Sequence, residues 1–190
     1  MTEADAATGV RRIYAGPWRV DFTVVRHAPR LLPASVLARV AARAVSAAGA
    51  PSPASLGLIL SDDADLAALN REHMGQDGPT DVLSFPLLPP ELYPAHPGKS
   101  AVSQHEPRTP RFVLPPSSRV RLGDVVLSVE RAVAQARAGH GGQTGNVAWS
   151  PADELRLLVT HGVLHVCGWD HADPLEERAM RALEMALLRF

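Results

Sequence analysis

A single α+β domain, a small mixed four-stranded sheet packed with about five helices, is the fold class the sequence predicts. Three observations predict it. Short apolar runs of strand length alternate with longer stretches of helical period. Several helical stretches open on Ser or Asp and close on Gly. Prolines gather in one internal segment, which marks a long loop and not general disorder. With 190 residues, 46% hydrophobic and 21% charged, the chain can bury a core of its own.

Residues 1–17 carry Glu3 and Asp5 and no continuous apolar run, so the sequence predicts a flexible N-terminal leader, no secretory signal, and one domain over 18–190. Val20 to Val25 alternates as a half-buried strand does. An alanine-rich helix is expected from Ala34 to Ala48, stopped by Gly49 and the Pro51/Pro53 pair. Leu56 to Leu60 is a short apolar strand, and Ser61 or Asp62 can cap a helix that carries Leu66, Leu69 and Asn70 toward Met74. Thr80 to Phe85 is the third strand. Residues 87–119 hold Pro89, Pro90, Pro94, Pro97, Pro107, Pro110, Pro115 and Pro116 without any period, and are expected to be a surface insertion.

Leu122 to Val129 is the fourth strand, followed by a helix over 129–138 that His140-Gly141-Gly142 breaks. Ser150-Pro151-Ala152-Asp153 opens the next helix with a cap, a proline at the first position and an acid at the third, and Gly168 closes it. Asp173-Pro174-Leu175-Glu176 repeats that start for a last helix, expected to bury Leu175, Ala179, Leu183 and Leu187.

Composition excludes several function classes. A net charge of -1 gives no overall basic field, so contact with nucleic acid must come from a local patch. Lys99 is the only lysine, and the remaining positive charge is arginine. Cys167 is the only cysteine, which excludes an intramolecular disulfide and a cysteine-based zinc site. No stretch reaches the roughly 20 apolar residues that span a bilayer. The expectation is a soluble cytoplasmic protein.

Residues 161–173 read H-G-V-L-H-V-C-G-W-D-H-A-D. His161 and His165, four apart on a helix, share one face and can reach one ion. A glycine in left-handed conformation at Gly168 would reverse the chain and return His171 to the same point. Three neutral imidazoles leave a fourth tetrahedral position for water, as in a catalytic zinc site; Asp170 or Asp173 as fourth ligand would make it a closed structural site. Cys167 lies about 200° around the helix from His165 and is expected in the core, and Trp169 is expected to pack.

The spacing of the three histidines and the glycine is that of the metzincin proteases, H-E-x-x-H-x-x-G-x-x-H, so the segment reads as a zincin-like metal helix. Where those proteases carry the glutamate that takes a proton from zinc-bound water, this chain has Gly162. A metzincin-like metallopeptidase is therefore the second reading.

The run H-G-V-L-H-V-C-G-W-D-H resembles the signature of the YbeY-type bacterial rRNA maturation factors, a family of zinc-dependent endoribonucleases. Thr80-Asp81-Val82-Leu83-Ser84-Phe85-Pro86 and Leu122-Gly123-Asp124-Val125-Val126-Leu127-Ser128 resemble two further family stretches, in the right order. The resemblance covers about Val20 to the C-terminus. It implies a single α+β domain, one Zn2+ held by His161, His165 and His171, and cleavage of single-stranded RNA in an rRNA precursor, notably at the 3′ end of the small-subunit RNA. It also implies association with the ribosome or small-subunit proteins and a part in ribosome quality control. A non-catalytic, zinc-stabilised ribosome-binding module is the remaining alternative.

The chain departs from the family at two places. Family members often carry an arginine, thought to contact RNA phosphate, where this chain has Met74; Arg71, one helical turn earlier, could supply the guanidinium or be a solvated surface residue. The insertion 87–119 is also longer than the family pattern. For metal-assisted phosphodiester cleavage, proton transfer could fall to Asp170, to Asp173 or to an RNA 2′-hydroxyl, with RNA held as an unpaired strand by arginine contacts and stacking.

Overall fold

The computed structural model describes residues 9–25, 27–99, 119–139 and 149–188. Five strands and five helices occur among them: β1 (Arg11–Ala15), β2 (Trp18–Val24), α1 (Ala34–Ala47), β3 (Ala54–Ser61), α2 (Asp63–Met74), β4 (Val82–Pro86), β5 (Val120–Ser128), α3 (Val129–Arg137), α4 (Pro151–Val166) and α5 (Pro174–Leu188). A single 3-10 turn, Pro90–Leu92, follows β4. The α+β class is as expected, with one strand more than the four expected. That strand is β1, which lies within the stretch 1–17 expected to be a leader and pairs antiparallel with β2 from Arg11↔Phe22 to Ala15↔Trp18.

The strands run in the order β1-β2-β3-β5-β4. The two inner pairs, β2 with β3 and β3 with β5, are parallel, and the outer pairs are antiparallel. Because successive side chains alternate between faces, Leu58, Leu60, Val125 and Leu127 point to one side, where α1 and α4 cover them. Ile59 and Val126 point to the other, where α2 places Leu66 and Leu69 over them with Leu83 and Phe85. α4 is the innermost helix: it buries Leu155, Leu157, Leu158 and Leu164, each worth roughly 1.5–3 kcal/mol relative to an exposed side chain.

α5 differs from its expected face. Met180 is buried with Glu176 and Glu184, while Leu183 and Leu187 pack beside the core and Leu175 is 50% exposed. The expected helix break at His140-Gly141-Gly142 and the insertion from 100 to 118 lie outside the described residues. The insertion's first part, 87–99, folds back on the body: Leu87 N donates to Leu122 O at 2.9 Å, and Tyr93 is buried. No helix among the described residues is long and apolar enough to cross a membrane.

Candidate metal centre

α4 opens as its sequence demands. Ser150 Oγ accepts from Asp153 N at 3.2 Å, with Pro151 at the start, where a missing N–H costs nothing. At the other end Gly168 N donates to His165 O at 3.0 Å and Trp169 N to Leu164 O at 3.1 Å. This pair of bonds needs a left-handed residue just past the helix, and Gly168 supplies it at φ +82. The chain thereby turns back and returns His171 to the face that already carries His161 and His165. Cys167 is fully buried and Trp169 packs against the core, both as expected.

One ring nitrogen from each of the three histidines lies within 4.8 Å of the other two, and no carboxylate belongs to the group. His161 is buried, His165 half-buried and His171 exposed, so the centre opens to solvent on the His171 side. Neither acid considered as a fourth ligand joins it. Asp173 Oδ1 accepts from Leu175 N and Glu176 N at 2.8 and 3.1 Å and so caps α5. Asp170 Oδ1 accepts from His171 N at 2.7 Å within the loop itself.

The protons on these rings follow from their partners. A carbonyl oxygen can only accept, so His165 Nδ1 donates to Trp169 O at 2.9 Å. Glu184, 4% exposed on α5, stands 2.7 Å from His161 Nδ1, and its carboxylate accepts there. The two Nε2 atoms then face each other at 3.1 Å. With the His171 ring nitrogen within 4.8 Å of both, this donor set fits a divalent metal that takes imidazole nitrogen. Outward bonds to a carboxylate and to a carbonyl are also what orients metal-bound histidines.

Burial, reinforced by neighbouring His161, holds the His165 imidazole down to about 4 from its ordinary 6.5. The ring is therefore neutral at pH 7, as a metal ligand must be. In metal-free protein the His165 ring resonances are expected to titrate near pH 4. As pH falls, the unfolded chain takes that proton first, so this contribution to stability is whole above about pH 6.5 and is lost on descent toward about 4. Denaturant midpoints with chelator present, compared at neutral and acid pH in wild type and His165→Gln, check the sign; equal pH dependence in the two would refute it.

Two cavities meet at the histidines. The larger, about 520 Å³, runs between β4 and the loop after α4 and is walled by Met74, Ser84, Pro86, Trp169 and Asp170. The smaller, about 330 Å³, opens on the α5 side and is lined by Asp81, Met180, Arg181 and Glu184. Arg71 lines neither: its Nε meets Asp77 Oδ1 at 3.0 Å in a largely exposed pair, whereas Met74 does line the larger cavity.

Three residues at the site escaped sequence reasoning. Asp81 lines both cavities while accepting from Val82 N and Gln135 Nε2 at 2.9 and 3.0 Å. Arg181 brings a guanidinium to the smaller cavity, paired with Glu177. Glu184 left a signal: Glu176, Met180 and Glu184 recur every four residues, an acid-Met-acid stripe on one face of α5. Glu184→Ala is expected to weaken metal binding by about 10–100-fold, measured by competition with a chromogenic chelator. Glu177→Ala, on the same helix but paired to Arg181, should leave the affinity unchanged.

A family model described as Endoribonuclease YbeY matches residues 32–190. The Endoribonuclease YbeY of Salinispora tropica is 43% identical over 150 residues, which cover 78% of this chain and 82% of that protein. The Endoribonuclease YbeY of Roseiflexus castenholzii is 35% identical over 171 residues, covering 89% and 90%. A solution structure of a Thermotoga maritima protein is similar at a TM-score of 0.45 and 20% identity, covering 90% of this chain and 88% of that one.

Proposed function

Because the chain belongs to the Endoribonuclease YbeY family, we propose that it is a zinc-dependent endoribonuclease that cuts single-stranded RNA during ribosomal RNA maturation, including the 3′ end of the small-subunit RNA. The observation that carries the metal part is the cluster of one ring nitrogen each from His161, His165 and His171, all within 4.8 Å of one another. Three imidazole donors without a carboxylate suit one zinc ion and match the number of protein ligands in catalytic zinc sites. When bound, the ion supplies Lewis acidity toward the phosphodiester.

The chain's own residues do the rest. The larger cleft receives an unpaired strand, the form of RNA whose base edges proteins most often reach. Arg181, which lines the smaller cavity, rests on a single half-exposed acid, a pair of the kind worth about 0.2–1 kcal/mol, so an RNA phosphate can take the carboxylate's place. Asp173 caps α5, so proton exchange falls to Asp170, which lines the cleft with one oxygen bonded to His171 N, or to the RNA 2′-hydroxyl. The functional unit is one domain with 87–119 as its insertion, working in the cytoplasm on rRNA precursors and small-subunit particles, where it also serves ribosome quality control.

Purified protein offered single-stranded RNA, duplex RNA and an unfolded polypeptide should cut only the first, and a chelator should stop it. Cleavage of the polypeptide with RNA left intact would instead make the chain a metallopeptidase. If no substrate is cut and metal removal unfolds the chain, the site is a structural staple.

A further inference from the structure

Residues 87–99, the first part of the insertion, run as a strap against the loop that carries His171. Lys99 Nζ closes the strap on itself, donating to Pro90 O at 2.7 Å and Tyr93 O at 3.3 Å. From it His96 enters the body. Its ring stacks on Trp169, centroids 3.8 Å apart and planes 10° from parallel, and its Nε2 meets Glu176 Oε1 at 2.7 Å. Both side chains of that pair are buried, 6% and 8% exposed. The same Glu176 Oε1 accepts from Asp170 N at 2.7 Å, next to His171.

Two of these contacts reach the metal ligands. Trp169, fixed through its ring by His96, is the residue whose carbonyl sets the His165 proton. Glu176, held by His96, fixes the backbone that presents His171. A buried hydrogen-bonded polar couple adds little to stability over apolar side chains of the same volume. What the couple adds is orientation.

We propose that His96 is a positioning residue for the metal centre, acting through Trp169 and Glu176 on the ligands His165 and His171. This rests on the reading of the three histidines as a zinc site. Outer partners of metal-bound histidines commonly govern affinity, and His96 stands one step further out on two routes at once.

The experiment is zinc affinity by chelator competition, with the ligand-field spectrum of cobalt-substituted protein, on wild type, His96→Ala, Leu66→Ala and His161→Ala. Leu66→Ala destabilises the fold from the opposite face of the sheet, where Leu66 is fully buried. His96→Ala is expected to lose about 10-fold or more in affinity and to shift the cobalt bands, with Leu66→Ala unchanged in both. Wild-type affinity and spectrum in His96→Ala, or an equal loss in Leu66→Ala, would overturn the role of His96 while leaving the zinc site standing. Wild type binding no more tightly than His161→Ala would overturn the zinc site, and the role of His96 with it.

Discussion

Alanine at His161, His165 or His171 is expected to lower zinc affinity by at least ~100-fold, beyond the 10–100-fold typical of losing an outer partner, and to abolish RNA cleavage in step. The three variants should nevertheless differ in stability. His161 is the partner of Glu184, a carboxylate 4% exposed, and its removal leaves that group buried and unpaired. Leaving a buried polar group without its hydrogen bond typically costs about 1–3 kcal/mol, and more for a charged one. His171 is exposed, so its loss should remove the metal and leave the metal-free fold almost intact. Elemental analysis together with thermal unfolding in chelator checks both halves; full zinc content in His171→Ala would refute the ligand set.

The second large effect is at Gly162. A Cβ there would lie 2.6 Å from Val125 Cγ1, 2.8 Å from Val82 Cγ2 and 3.3 Å from Ser84 Oγ. Ser84 Oγ also donates to Gly162 O at 2.9 Å, which ties α4 to β4 at this point. Gly162→Ala is expected to cost about 1–3 kcal/mol, the usual range for overpacking, and Gly162→Glu to prevent folding or force α4 off the sheet. A glutamate is therefore missing for want of room between helix and sheet. Circular dichroism and peptide cleavage test this together. A folded Gly162→Glu variant with new peptidase activity would contradict the packing argument.

How much could be read from the chain alone depended on whether local chemistry or tertiary contact decided the matter. The ends of α4 were legible because Ser150, Pro151 and Gly168 impose backbone geometry wherever they occur, and the clustering of the three histidines was legible because it depends on those ends. β1 was not. Its residues Arg11 to Ala15 are mostly exposed at the sheet's edge, so no apolar alternation marks them, and only pairing with β2 makes them a strand. The face of α5 was only partly legible, with Leu183 and Leu187 against the core as expected, for the opposite reason: acids are normally outside, and Glu176 and Glu184 are inside because His96 and His161 meet them there. Residues 87–99 show no period because the contacts that hold them come from distant elements. Arg71 was a candidate from sequence proximity, and the turn after α2 instead gives it Asp77.

Cys167 closes the end of α4 two residues after a ligand, fully buried beside Tyr93, and burial pushes its thiol up to about 12. It therefore stays protonated at any physiological pH, and thiols rather than thiolates are poor targets for peroxides and electrophiles. A nitrogen-only centre with an inert thiol behind it has no sulfur to surrender under oxidative stress, when thiolate-held zinc is commonly released. With zinc bound at the three histidines, peroxide treatment of the purified protein is expected to leave the metal content unchanged.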